Sequence, residues 1–379
     1  MLFDLSQVKD GDEIKKVITS AQGNDKVLVA LRQAYAELTE RMVAVEKELD
    51  MRRDSAHELG MVLLQEGSRV GKWVRVDSEY NLATFDATVH GTWADMKTVV
   101  TDHGDFVEIP TTWVRTEILE TGPYAGRPCW WIADHAENGY HVHPAFMKLD
   151  GTPGKLQVAA WITSMDDNGL PYSSDVVDDY LSYWNGVAYT EVHGLCQALN
   201  TNEDNGYRPY SIYDHHLLAR MMLVEYGTSD VQSLTVNDVK WDGSKRIAYH
   251  DIHDPFGTPD SEFLWLDGFS MVNGVYNVLA NDGSGDIVDT GIACLNDGTW
   301  MRTCMTTVVD RVDFNDLFIA NEVNGTENNA SFADRQSLNT NYACCLNWQR
   351  SSRRGAFCLG GHPVNYTNSM LGWRFVRVV

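Results

Sequence analysis

Residues 25–65 read DKVLVALRQAYAELTERMVAVEKELDMRRDSAHELGMVLLQ. Leu28, Leu31, Tyr35, Leu38, Met42, Val45, Leu49, Arg52, Ala56, Leu59 and Leu63 recur alternately three and four positions apart. A 3.5-residue period puts them on one seam of an underwound helix. Arg32, Glu37, Glu40, Arg41, Glu46, Lys47, Glu48 and Asp50 fall between as a charged face. Asn24 or Asp25 can cap the start, and Gly67 can take the left-handed conformation that ends such a helix. The spacing thus predicts a coiled-coil helix over 25–66 whose seam is covered by sister copies. Tyr35, Met42 and Val45 are compatible with two strands or three.

Working outward, residues 1–24 form an N-terminal segment and 67–105 read as a β-rich connector, with Lys72–Val76 partly alternating as a half-buried strand. From 106 to 379 the text is dense in short strands and turns. Trp113–Glu117 is strand-like, Cys129–Ala133 is a buried strand between Pro128 and Asp134, and Val158–Ile162 is another. Helical patterning covers Tyr189–Asn200 and Ser211–Gly227, the latter with a Ser211 or Asp214 cap and a glycine stop. The expected fold class is α+β: an N-terminal coiled-coil helix, a β-rich connector and a compact C-terminal domain.

The net charge of −23 argues against a nucleic-acid partner, whose phosphates it would repel. No run approaches the roughly 20 apolar residues that span a bilayer, so no membrane insertion is expected, and no targeting segment is visible at the start. The seven cysteines (129, 196, 294, 304, 344, 345 and 358) include no CxxC pair, which speaks for buried free thiols made in a reducing cytoplasm.

Several stretches resemble a known group. FVEIPTTWVRTE (106–117) and CWWIADHAENGYHVHPAF (129–146) are similar to phage tail modules that run from an IPKFY-type strand to a G…HPAF turn. NGYRPYSIYDHHLLARMMLVEYG (205–227), Phe263–Gly268 followed by Asn273-Gly274, and RRGAFCLGGHPVNYTNSMLGWRFVRVV (353–379) resemble segments of C-type-lectin-like domains of the formylglycine-generating type. The resemblance spans 106–379. It implies two helices on a twisted antiparallel sheet, carried at the tip of a homotrimeric phage tail fibre. Residues 1–24 would attach to tail or baseplate proteins. The virion-borne protein would adsorb to a bacterial surface receptor, without catalysis or cofactor.

The expected receptor face lies between 339 and 369, where Asn339, Asn341, Tyr342, Asn347, Trp348, Arg350, Arg353, Arg354, Asn365, Tyr366 and Asn368 crowd together. Tyr, Asn and Arg combine rigid area with adaptable hydrogen bonding, and the arginines suit an acidic glycan or neighbouring Asp residues. Enzyme signals are weaker. Cys344, Cys345 and Cys358 match no catalytic cysteine motif of the related enzymes. His250–Asp254 carries metal-ligand residue types inside a turn marked by Pro255 and Gly257. His215-His216 reads as a solvated pair, and His141 and His143 as structural hydrogen-bonders before Pro144.

Overall fold

The computed structural model describes residues 41, 57–65, 71–174, 187–201, 206–229, 263–294, 303–322, 336–337, 343–347, 359–365 and 371–379. The chain divides into two compact units, Met1–Ser55 and Ala56–Val379; the second is described below.

That unit opens by correcting the helical reading. Glu58–Gln65 (β1) is a strand, so Leu59 and Leu63 belong to a sheet. Their spacing of four fits a heptad seam and also two full periods of a strand, which is why the pattern misleads. Leu59, Met61 and Leu63 enter the main core, while Val62 points to a separate cluster with Val76, Cys129 and Trp131. Gly60 lies against Trp131, where a Cβ would come within 2.7 Å of the indole; glycine is also among the poorest helix formers. The other seam positions, Leu28, Leu31, Tyr35, Leu38, Met42, Val45 and Leu49, lie outside the described residues. The fold class is corrected accordingly. Among the described residues no long N-terminal helix is evident, and strand outweighs helix by more than two to one.

In chain order there follow β2 (Lys72–Val76), α1 (Gly91–Ala94), β3 (Lys97–Thr101), β4 (Gly104–Ile109), β5 (Trp113–Ile118), β6 (Pro128–Ala133), β7 (His141–Val142) and β8 (Leu156–Ala159). Next come α2 (Tyr189–Leu199), β9 (Tyr207–Pro209), α3 (Ile212–Tyr226), β10 (Phe263–Val272), β11 (Val275–Leu279) and β12 (Ile287–Ala293). The last are β13 (Ala343–Asn347), β14 (Leu359–His362) and β15 (Phe375–Val378). One sheet has the order β2-β1-β6-β5-β7 and a second β9-β15-β8-β4-β3. A third runs β12-β11-β10-β13-β14 and ends on Gln336–Ser337, with Leu371–Gly372 pairing to β10. The stretch 67–105 therefore shares its sheets with later strands.

The second sheet is apolar on both faces, as a covered sheet must be. Val107, Ile109, Leu156, Val158, Val376 and Val378 point to the main core. Phe106, Ala159 and Phe375 point the other way, onto Val192, Cys196 and Leu199 of α2. Helix α3 lies within the main core, with every residue from Ile212 to Val224 buried. A capping box starts it: the Ser211 hydroxyl accepts from the Asp214 N–H and the Asp214 carboxylate accepts from the Ser211 N–H at 2.6 Å. Gly227 at φ 67° ends it. The expectation of a solvated His215-His216 pair is corrected here. Both are fully buried, because α3 packs against β1, β6 and β10 together, and a helix enclosed on all sides has no solvent face.

Candidate functional site: a polar cleft beside Asp267

β10 reads FLWLDGFSMV, an apolar strand interrupted by one carboxylate. Gly268 adopts φ 74°, and pairing with β13 slips between Trp265 and Ser270, the mark of a bulge that re-aims a side chain. The Asp267 N–H donates to the Tyr210 carbonyl at 2.8 Å. Its carboxylate accepts from the Tyr189 hydroxyl at 2.6 Å and from His193 Nε2 at 2.8 Å. Tyr189 and His193 stand four apart on α2, hence on one face. The Asp267 side chain is 8% exposed and that of His193 is 50% exposed. One wall is thus a shielded acceptor and the other an accessible donor. The Asp267 hydrogen bond holds the His193 pKa above its usual value, despite partial burial, which favours the imidazolium.

Around this pair lies a cleft of about 220 Å³, lined in part by Met147, Gln197, Tyr207, Arg208, Tyr213 and Leu279. Its floor is fixed by Arg208, whose guanidinium donates to both oxygens of buried Asp214 at 2.5 and 2.8 Å and to the Ala145 carbonyl at 3.0 Å. Such a two-pronged pair holds geometry better than a lysine contact. The wall also contains Cys196, whose thiol is buried and pushed up by desolvation and by Asp267; it is not a ready thiolate. Burial raises Cys129 and Cys304 likewise. The cleft therefore offers an anionic acceptor, a cationic donor, amide groups and apolar side chains such as Met147, Leu149 and Leu279, a set that suits a ligand bearing hydroxyls on an apolar ring.

The expected receptor residues fall differently. Asn347 ends β13, facing Phe263 across the ladder. Asn365 is an exposed turn residue just past β14. Because β13 and β14 are antiparallel, with Ala343 opposite His362, Asn347 and Asn365 belong to opposite ends of β13, roughly 13 Å of strand apart. Asn339, Asn341, Tyr342, Trp348, Arg350, Arg353, Arg354, Tyr366 and Asn368 lie outside the described residues, as does the His250–Asp254 turn. His143 caps the turn Pro144–Phe146 by accepting from the Ala145 N–H, and His141 Nε2 meets both Asp316 oxygens at 2.9 Å.

No protein-family model and no curated protein sequence matches the chain. The cleft residues His193, Arg208 and Asp267, and Tyr189 that braces Asp267, are absent from the sequence-derived set. Their one signal was the lone acid inside the apolar run Phe263–Phe269, since a buried charge needs partners.

Proposed function

We propose that this chain is a receptor-binding protein of a phage tail. In this reading it adsorbs the particle to a bacterial surface glycan through the cleft at Asp267 and carries out no catalysis. The observation that carries the reading is the His193–Asp267 pair, braced by Tyr189, on the wall of a cleft that also carries the apolar side chains of Met147, Leu149 and Leu279. Hydroxyl-rich ligands both donate and accept, and sugar rings present apolar faces, so the lining is complementary to them. The raised thiols fit a binding role better than cysteine chemistry. The protein acts as a homotrimer docked to tail or baseplate proteins, so that three weak clefts together bind with useful avidity.

The test is to incubate fluorescent full-length protein with candidate host bacteria, with and without extracted surface polysaccharide. Labelling that the polysaccharide competes away is expected. Labelling unchanged by polysaccharide, or no labelling on any host that the particle infects, overturns the reading.

A further inference from the structure

A second cluster of ligating side chains lies apart from the cleft, where β1 begins and β6 ends. The ladder pairs Glu58 with Ala133. One step further His57 faces Asp134, and the Asp134 N–H donates to the His57 carbonyl at 3.3 Å. Strand register thus brings together two residues 77 positions apart. His57 Nδ1 lies 2.5 Å from Asp134 Oδ2, and His135 Nδ1 lies 2.7 Å from Asp134 Oδ1. All three ligating atoms sit within 4.8 Å of one another.

The carboxylate is held from behind. The Gly91 N–H donates to Asp134 Oδ2 at 2.5 Å, and a Cβ at residue 91 would stand 2.7 Å from that oxygen, so a larger residue there would have to push the carboxylate aside. The outer side of His135 is held as well, since its Nε2 lies 2.9 Å from Glu137 Oε1. An ionised carboxylate only accepts, so Nε2 carries a hydrogen. Nδ1 then turns a lone pair toward Asp134, another acceptor, and a positive species has to stand between them: a second proton or a metal cation. An imidazole that donates its far N–H to a carboxylate while its near nitrogen faces other ligands is the usual outer support of a metal-bound histidine.

We propose that His57, Asp134 and His135 bind a first-row divalent transition-metal ion of the Zn²⁺ class, with Glu137 as the outer partner of His135 and water on the open side. Two imidazoles and one carboxylate are the donor set such ions prefer over Ca²⁺ or Mg²⁺. Bonds of about 2.1 Å in tetrahedral array place donors roughly 3.4 Å apart, so the ligands must open slightly. The side chains of His57 and His135 are 27% and 48% exposed and have room to do so. The site is independent of the cleft and of the adhesion reading.

The test uses chelator-treated full-length protein titrated with Zn²⁺ by calorimetry and with Co²⁺ by visible absorption. One Zn²⁺ per chain, displacing Co²⁺, is expected. His57→Ala and His135→Ala should each weaken binding roughly 100-fold or more, Glu137→Gln by roughly 10- to 100-fold, and His193→Ala not at all. No binding by the unaltered chain, or binding by both histidine variants as tight as that of the unaltered chain, overturns the proposal. If either variant fails to fold, Co²⁺-induced shifts of the His57 and His135 imidazole NMR signals in the unaltered chain decide, and unshifted signals overturn it.

Discussion

Helices α2 and α3 carry the same chemistry to opposite ends. On α2, Tyr189 and His193 meet Asp267 at the edge of an open cleft. On α3, Asp214, His215, His216 and Arg220 are all sealed from solvent. Arg220 spends its donors on structure: Nη1 on the Trp131 carbonyl at 3.2 Å, Nη2 on Thr116 Oγ1 at 3.0 Å and on the Asn315 carbonyl at 2.7 Å. His216 Nδ1 accepts from the Phe318 N–H at 3.3 Å. Polar residues on α3 tie three segments into one interior, and those on α2 remain available to a ligand. Residue type alone does not make a site; access decides.

That contrast can be broken in several places. The largest effect is expected at Arg220→Leu, which removes the buried hydrogen bonds to the Trp131 and Asn315 carbonyls and to Thr116 Oγ1 and should cost about 3–5 kcal/mol, read as a lower urea midpoint at unchanged m-value. A loss under 1 kcal/mol would mean that the interior is wetter than described. Next comes Gly60→Ala. In a helix this change would stabilise by up to about 1 kcal/mol. In β1, pressed on Trp131, it should destabilise by about 1–3 kcal/mol, so the sign alone separates the two readings of 58–65.

Acid sharpens the contrast further. Burial holds His143 and His216 well below the usual imidazole value of 6.5 and His90 at about 4. The unfolded chain therefore takes up protons first as pH drops below about 6.5, and stability falls from there downward. His193 and His141 are shifted the other way, by Asp267 and, against burial, by Asp316. Their contribution is complete below 6.5 and fades as pH rises through their folded values. Histidine-linked stability should thus peak near pH 6.5, measured by urea titration in EDTA. His216→Asn, which keeps an acceptor for Phe318, should flatten the acid limb by about 1.4 kcal/mol per pH unit. An unchanged limb would show His216 to be charged or solvated. The smallest effect on stability is expected at His193→Ala, within about 0.5–1 kcal/mol.

Much of the unit was legible because local rules and tertiary demands agree. The α3 region announces itself through Ser211, Asp214 and Gly227, and all three do what their chemistry suggests. Asn273-Gly274 closes the β10–β11 hairpin with both residues at positive φ, as a two-residue turn requires. Cys129–Ala133, framed by Pro128, became β6. Failures arose where one spacing serves two periods, as at Leu59 and Leu63, or where burial depends on distant segments, as at His215 and His216. The cleft was invisible for the same reason. Asp267 gains its partners from residues 74 and 78 positions away, and no local pattern records that.

The central claim, that the Asp267 cleft is the adhesive surface, is tested most directly by calorimetric titration of purified host surface polysaccharide into three variants. Asp267→Asn and His193→Ala should lose binding at least roughly 10-fold, as expected when a charged hydrogen-bond partner is removed. His216→Asn, altered only in the interior, should bind like the unaltered chain. Equal binding by all three would contradict the account.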